Sequence, residues 1–215
     1  MPVARSIGRS RSTPRACVST SMVRLRRARR ASPAPTQGAG PNYTNSCRRS
    51  EEPEDHAIGR SRGGLTTKTH ALVDGNGLPL VIALTPGQAN DSPALPRLLA
   101  ELSVPRVGPG RPRTRPDSLR ADKAYSARAH RTHLRARGIT AVIPEPSDQI
   151  AHRLRKGSRG GRPVNFDARD YKNRNVVERA FNHFKNWPGL ATRYDKHALV
   201  YRGGVVLAAI MLWLS

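Results

Sequence analysis

Acidic residues are scarce in this chain: 15 Asp and Glu face 38 Lys and Arg across 215 residues, a net charge of +23. That imbalance disfavours cationic partners and suits a polyanion such as DNA. Cysteine is scarcer still. Cys17 and Cys47 stand alone, with no CxxC or Cys/His spacing, so neither a zinc site nor a disulfide framework is indicated. Aromatics make up 5% of the chain, and no RNP-like aromatic motif marks it as an RNA-stacking protein. The apolar run Val205–Leu214 is too short to span a bilayer and predicts a buried helix. The basic N-terminus is not followed by an apolar core, so no signal peptide is read. We therefore expect no membrane partner and a cytoplasmic, nucleoid-associated protein.

The charge is unevenly spread. Residues 1–50 hold 11 Arg and neither Lys nor an acidic residue. Arg, Ser, Pro, Ala and Thr dominate there without helical or strand periodicity, so the expectation is a disordered basic segment over 1–50 and one folded domain over 51–215.

In the folded part, Leu65–Val73 reads as a strand, Asp74-Gly-Asn-Gly77 as a hairpin turn and Leu78–Leu84 as the returning strand. Pro86 and Gly87 then stop the sheet. Asp91-Ser-Pro93 predicts a helix start, with Asp or Ser capping, leading into Ala94–Leu102. Val104 to Pro116 is a Pro/Gly/Arg loop. A short strand Ser118–Ala121 ends at Asp122; Ser126–Arg137 is helical with Gly138 as its cap, and Ile139–Ile143 is the next strand. The basic run Arg153–Arg162 reads as a loop. A hairpin followed by alternating strand and helix makes the fold class α/β with a mixed sheet and flanking helices.

The stretch Tyr171-Lys-Asn-Arg174-Asn-Val-Val-Glu178-Arg-Ala-Phe-Asn-His-Phe-Lys185 carries the densest signal. On a regular helix Arg174, Glu178 and Lys185 lie roughly 60°, 20° and 40° from Tyr171 around the axis, so the four share one face. Val176, Val177, Ala180, Phe184 and Trp187 fall opposite and predict a core-facing stripe. A carboxylate flanked by two cations and a phenol suits a divalent metal together with phosphates. His70, His130, His133, His152, His183 and His197 show no metal-ligand spacing and read as structural or surface groups.

The pattern Tyr-(two residues)-Arg-(three)-Glu-(six)-Lys resembles the signature of DDE transposases of bacterial insertion sequences. Further segments resemble that family in the same order: Gly59-Arg-Ser-Arg-Gly-Gly-Leu-Thr-Thr-Lys68-Thr-His70, Leu84-Thr-Pro-Gly-Gln-Ala-Asn-Asp91-Ser, Ala121-Asp122-Lys123-Ala-Tyr125 and Gly189-Leu-Ala-Thr-Arg-Tyr-Asp-Lys196. The resemblance covers about residues 51–215. It implies an RNase H-like fold, metal-dependent DNA cleavage and strand transfer, Mg²⁺ or Mn²⁺ as cofactor, and DNA, both element ends and target, as partner. It assigns Asp122 and Glu178 as catalytic and metal-binding carboxylates. Lys123, Tyr171, Arg174 and Lys185 would position phosphates, with Arg153, Arg155, Lys156, Arg159 and Arg162 adding backbone contacts. Association with itself or with intact transposase is a further expectation.

One family element is not matched. Its first catalytic Asp lies on the first strand, in a segment like Val-Asp-Ser-Thr followed closely by His-Gln-His, and nothing in residues 1–64 corresponds. Asp55 and Asp74 do not substitute. Back-translated with GC-rich codons and read one nucleotide earlier, however, Ser12 and Thr13 give Asp, Thr13 and Pro14 give Ser, and Pro14 and Arg15 give Thr. The codons from Val18 to Met22 give Gln-His-Gln-His in the same frame. The sequence thus reads as a C-terminal transposase part, frameshifted or truncated at its N-terminus, with the first strand missing and no cleavage expected from the chain alone. The alternative expectation is a catalytically inactive DNA-binding remnant or inhibitor of intact transposase.

Overall fold

The computed structural model describes residues 15–25, 55–62 and 64–215. Its strands are β1 (Arg15–Leu25), β2 (Gly59–Ser61), β3 (Gly64–Asp74), β4 (Pro79–Pro86), β5 (Ser118–Ala121), β6 (Thr140–Val142) and β7 (Thr192–Arg193). Its helices are α1 (Ala94–Glu101), α2 (Arg128–Ala136), α3 (Ser147–Arg155), α4 (Ala168–Tyr171), α5 (Asn175–Lys185), α6 (Pro188–Ala191) and α7 (Ala198–Leu214).

All seven strands join one mixed sheet. β3 pairs antiparallel with β4 on one side and with β1 on the other; β1 then pairs parallel with β5, and β5 parallel with β6. Each face carries its own core. Ala16, Val18, Leu72, Leu119 and Ala121 pack with Leu95, Leu98 and Leu99 of α1 and Leu134 of α2. Cys17, Ala71, Val73 and Ile82 pack with Val177, Phe181 and Phe184 of α5 and Tyr201 and Val205 of α7.

The first strand is present, which corrects the expectation that it would be missing and that residues 1–50 would be disordered throughout. Arg15–Leu25 is an 11-residue strand at the centre of the sheet. The polar alternation sought in that segment is not required of a strand covered on both faces. Ala16, Cys17 and Val18 are all buried. Charge within the strand is confined to Arg15 and Arg24, near its ends. The rest of the 1–50 expectation, and Cys47, fall outside the described residues.

Elsewhere local chemistry and fold agree. The β3–β4 hairpin closes on Asp74, whose Oδ1 accepts the backbone N–H groups of Asn76 and Leu78, with Gly77 at φ +93°. Gly138 ends α2 at φ +64°. The expected Asp or Ser cap of α1 is not formed: Asp91 binds Lys68 Nζ at 2.7 Å and Ser92 Oγ lies 2.6 Å from His130 Nε2. The basic run 153–162 is not simply a loop, because α3 extends through Arg155 and a 3₁₀ turn follows at Gly157–Gly160. The apolar C-terminal segment is a 17-residue helix of which only one side is buried, through Tyr201, Val205, Ala208 and Ala209. The buried helix expected is thus buried on that side, while Leu207, Met211 and Leu214 stay exposed.

Candidate active site

Asp122 follows the last residue of β5, at the carboxyl end of a parallel strand, where sites in such sheets gather. It caps a 3₁₀ turn (Lys123–Tyr125), its Oδ1 accepting the N–H of Lys123 at 2.7 Å. Tyr125 is buried beneath and anchors that turn.

The signature stretch is helical but not uniform. α4 ends at Tyr171, Lys172–Arg174 winds as a 3₁₀ turn, and α5 resumes at Asn175. A 3₁₀ turn eclipses residues i and i+3, so Arg174 comes over Tyr171 more directly than on a regular helix. Its guanidinium lies 5.6 Å from the Tyr171 ring centroid and donates to Glu178 Oε1 at 2.6 Å. Phe166 closes on the same ring edge-on, centroids 5.3 Å apart. Val176, Val177, Ala180 and Phe184 are buried as expected and Phe181 joins them, whereas Trp187 lies past the helix end and is exposed.

Asp122 and Glu178 act on the same two side chains. Burial pushes the Tyr171 phenol above its usual pKa; Arg174 opposes this, and Asp122 and Glu178 both reinforce it. Burial works against the Arg174 guanidinium, but Tyr171, Glu178 and Asp122 together raise its pKa. Asp122, Tyr171, Arg174 and Glu178 therefore form one electrostatic cluster. Lys123 adjoins it and is exposed; Lys185 is also exposed, beside Leu190 and Tyr201.

Beneath this cluster lies a feature that sequence reading missed. Arg120, 2% exposed, forks onto Asp170, with Nε at 3.1 Å from Oδ2 and Nη2 at 2.6 Å from Oδ1. An arginine between Leu119 and Ala121 in the strand Ser118–Ala121 was the available signal, since a buried guanidinium demands a carboxylate. Cys17 completes the layer: its thiol accepts from Arg120 Nη1 at 3.7 Å, and burial raises its pKa.

Of the basic residues expected to hold phosphates, Arg153 is committed elsewhere, bound to both carboxylate oxygens of Glu145. Arg155, Lys156, Arg159 and Arg162 are exposed. α3 is fastened near Asp122 by Ser126 Oγ donating to Gln149 Oε1 at 2.8 Å. His70 and His130 are structural groups, bonded to Thr85 and Ser92 respectively.

β1 brings no carboxylate to this site. The parallel register Val18↔Ala121 sets position 19, a serine, level with Asp122. Among the described residues no three of His, Cys, Asp or Glu are grouped to hold a metal ion. Asp122 and Glu178 are donors of the right chemistry, but the residues present do not fit a two-ion centre, which needs shared carboxylates.

The transposase DDE domain family matches residues 31–214. A protein of Brucella ovis assigned as transposase for insertion sequence element IS6501 is 36% identical over 150 residues, covering 70% of this chain and 99% of that relative. A Burkholderia cepacia protein assigned likewise to element IS402 is 31% identical over 153 residues, covering 71% of this chain and 64% of that relative. No solved structure matches the chain. A domain match across most of the chain and relatives from two insertion sequences agree with the cluster around Asp122 and Glu178: this chain belongs to the DDE transposases of insertion sequences.

Proposed function

We propose that the chain is a DNA-binding transposase core of RNase H-like type that retains two of the family's three acids and does not itself cut DNA. The strand order β4-β3-β1-β5-β6, with only β3 running against its neighbours, supports the RNase H-like assignment. Members of the family generally use divalent metal ions. In the parent reaction Asp122 and Glu178 would be metal ligands, and Tyr171, Arg174, Lys123 and Lys185 would hold the phosphates beside them. The observation that carries the silent reading is the serine at position 19, where the central strand passes Asp122.

The test is metal-dependent nicking of duplex DNA by the purified chain, by a protein with the upstream frame restored, and by that protein carrying Glu178→Gln. The expected result is activity in the restored protein alone. Robust nicking by the 215-residue chain that disappears on Glu178→Gln would overturn the proposal.

A further inference from the structure

The loop between β5 and α1 holds four arginines that the site does not use. Residues 105–115 are all exposed and include Arg106, Arg111, Arg113 and Arg115, but neither a lysine nor an acidic residue. Among the described residues none of these four forms an ion pair. The loop is nevertheless anchored at its base. Val104 and Arg113 exchange backbone hydrogen bonds of 2.9 and 2.8 Å, and Arg137 donates to the carbonyls of Thr114 and Leu99. Gly108 and Gly110 turn the tip at φ +113° and +132°, and Pro105, Pro109 and Pro112 stiffen it. Arg106, Arg113 and Arg115 also line, with Arg179, a cleft of about 870 Å³. The acid in that lining is Asp74, whose Oδ1 is already occupied by two backbone N–H groups.

We propose that Gly110-Arg111-Pro112-Arg113 is a minor-groove probe, inserting its arginines into duplex DNA while Arg106, Arg115 and Arg179 hold the flanking phosphates. This rests on the DNA-binding part of the reading above, not on its catalytic part. The minor groove is about 6 Å wide, too narrow for a helix but open to a thin chain without bulky side chains. Glycine and proline leave the loop that thin. Arginine suits the position because its guanidinium is less strongly hydrated than an ammonium group. A narrow A·T-rich groove concentrates negative potential and attracts such a cation. The loop therefore favours A·T-rich duplex through groove width, without reading individual bases.

The experiment measures binding of the full chain to A·T-rich and G·C-rich duplexes across a salt series, with and without a minor-groove-filling bis-amidine. Arg111→Ala/Arg113→Ala is compared with Arg111→Lys/Arg113→Lys and with Arg155→Ala/Arg159→Ala/Arg162→Ala. The wild type should prefer the A·T-rich duplex and be displaced by the amidine. The alanine pair should lose about tenfold in A·T-rich affinity and the preference with it. The lysine pair should keep the salt slope but lose the preference, and the triple variant should weaken both duplexes alike. An alanine pair with an unchanged A·T to G·C ratio would overturn the probe while leaving DNA binding intact. Failure of the wild type to bind either duplex would overturn both readings, and tighter binding to single-stranded RNA than to duplex DNA would overturn the probe.

Discussion

Arg120 on β5 and Asp170 on α4 form a two-pronged ion pair, 2.6 and 3.1 Å, that joins the strand ending at Asp122 to the helix ending at Tyr171. Two residues beyond Arg120 lies one acid, and one residue beyond Asp170 begins the signature. The pair sets the distance between the two halves of the site.

Breaking it from one side leaves a buried charge without a partner. Arg120→Ala or Asp170→Ala should each destabilise the chain by about 3 to 5 kcal/mol, whereas Arg120→Ala/Asp170→Ala should cost much less than the sum. Chemical denaturation of the four proteins in a double-mutant cycle checks this. Additive losses would show that the two side chains act independently.

Position 19 shares the pleat parity of Cys17, which belongs to the core on the α5 side of the sheet. Ser19→Asp should therefore give the Asp122–Glu178 pair a third carboxylate. Mn²⁺ titration followed by electron paramagnetic resonance should show tighter binding in Ser19→Asp than in the parent. Ser19→Asp/Glu178→Gln should return to the parental affinity. Equal affinity in all three proteins would mean that β1 does not pass the site in this register.

His70 is fully buried against Thr85, and burial lowers its pKa from 6.5 to about 4. The folded state thus takes up its proton later on acidification than the unfolded chain does. This contribution to stability is complete above pH 6.5 and is lost as pH falls from 6.5 through 4, on the order of 3 to 4 kcal/mol in total. His130 is shifted in the same direction, chiefly by burial. Thermal unfolding between pH 7 and 4.5 should show a falling midpoint, with a shallower fall in His70→Gln. Parallel curves would remove the assignment.

Arg153 and Arg155 lie two residues apart and should behave differently. Arg153, held by Glu145, should matter for stability, and Arg153→Ala should lower the melting temperature with little change in DNA affinity. Arg155→Ala should leave melting unchanged and reduce the salt slope of DNA binding by about one. Calorimetry and fluorescence anisotropy separate the two outcomes.

The strands β3 to β6 and the helices α1, α2 and α5 were legible because turn residues bracket them: Asp74 to Gly77, Pro86-Gly87 and Gly138 act through local backbone geometry that a sequence displays directly. The signature residues were legible because helical spacing is a local property too. β1 was not, since its strand character comes from being sandwiched between β3 and β5 rather than from any pattern of its own. Arg120 and Asp170 were not, since their meeting depends on residues 50 positions apart. The exposed side of α7 escaped notice because apolar composition reports affinity for a core and not which residues find one.

β1 serves two masters with different demands. The sheet asks only for a run of backbone donors and acceptors with compact side chains where both faces are covered, as at Ala16, Cys17 and Val18. The chemistry asks for one acid at one rung. A change that rewrites the strand can satisfy the first demand and fail the second. Quality control senses exposed core and unpaired backbone, so a change of that kind would pass unnoticed by the machinery that clears misfolded chains.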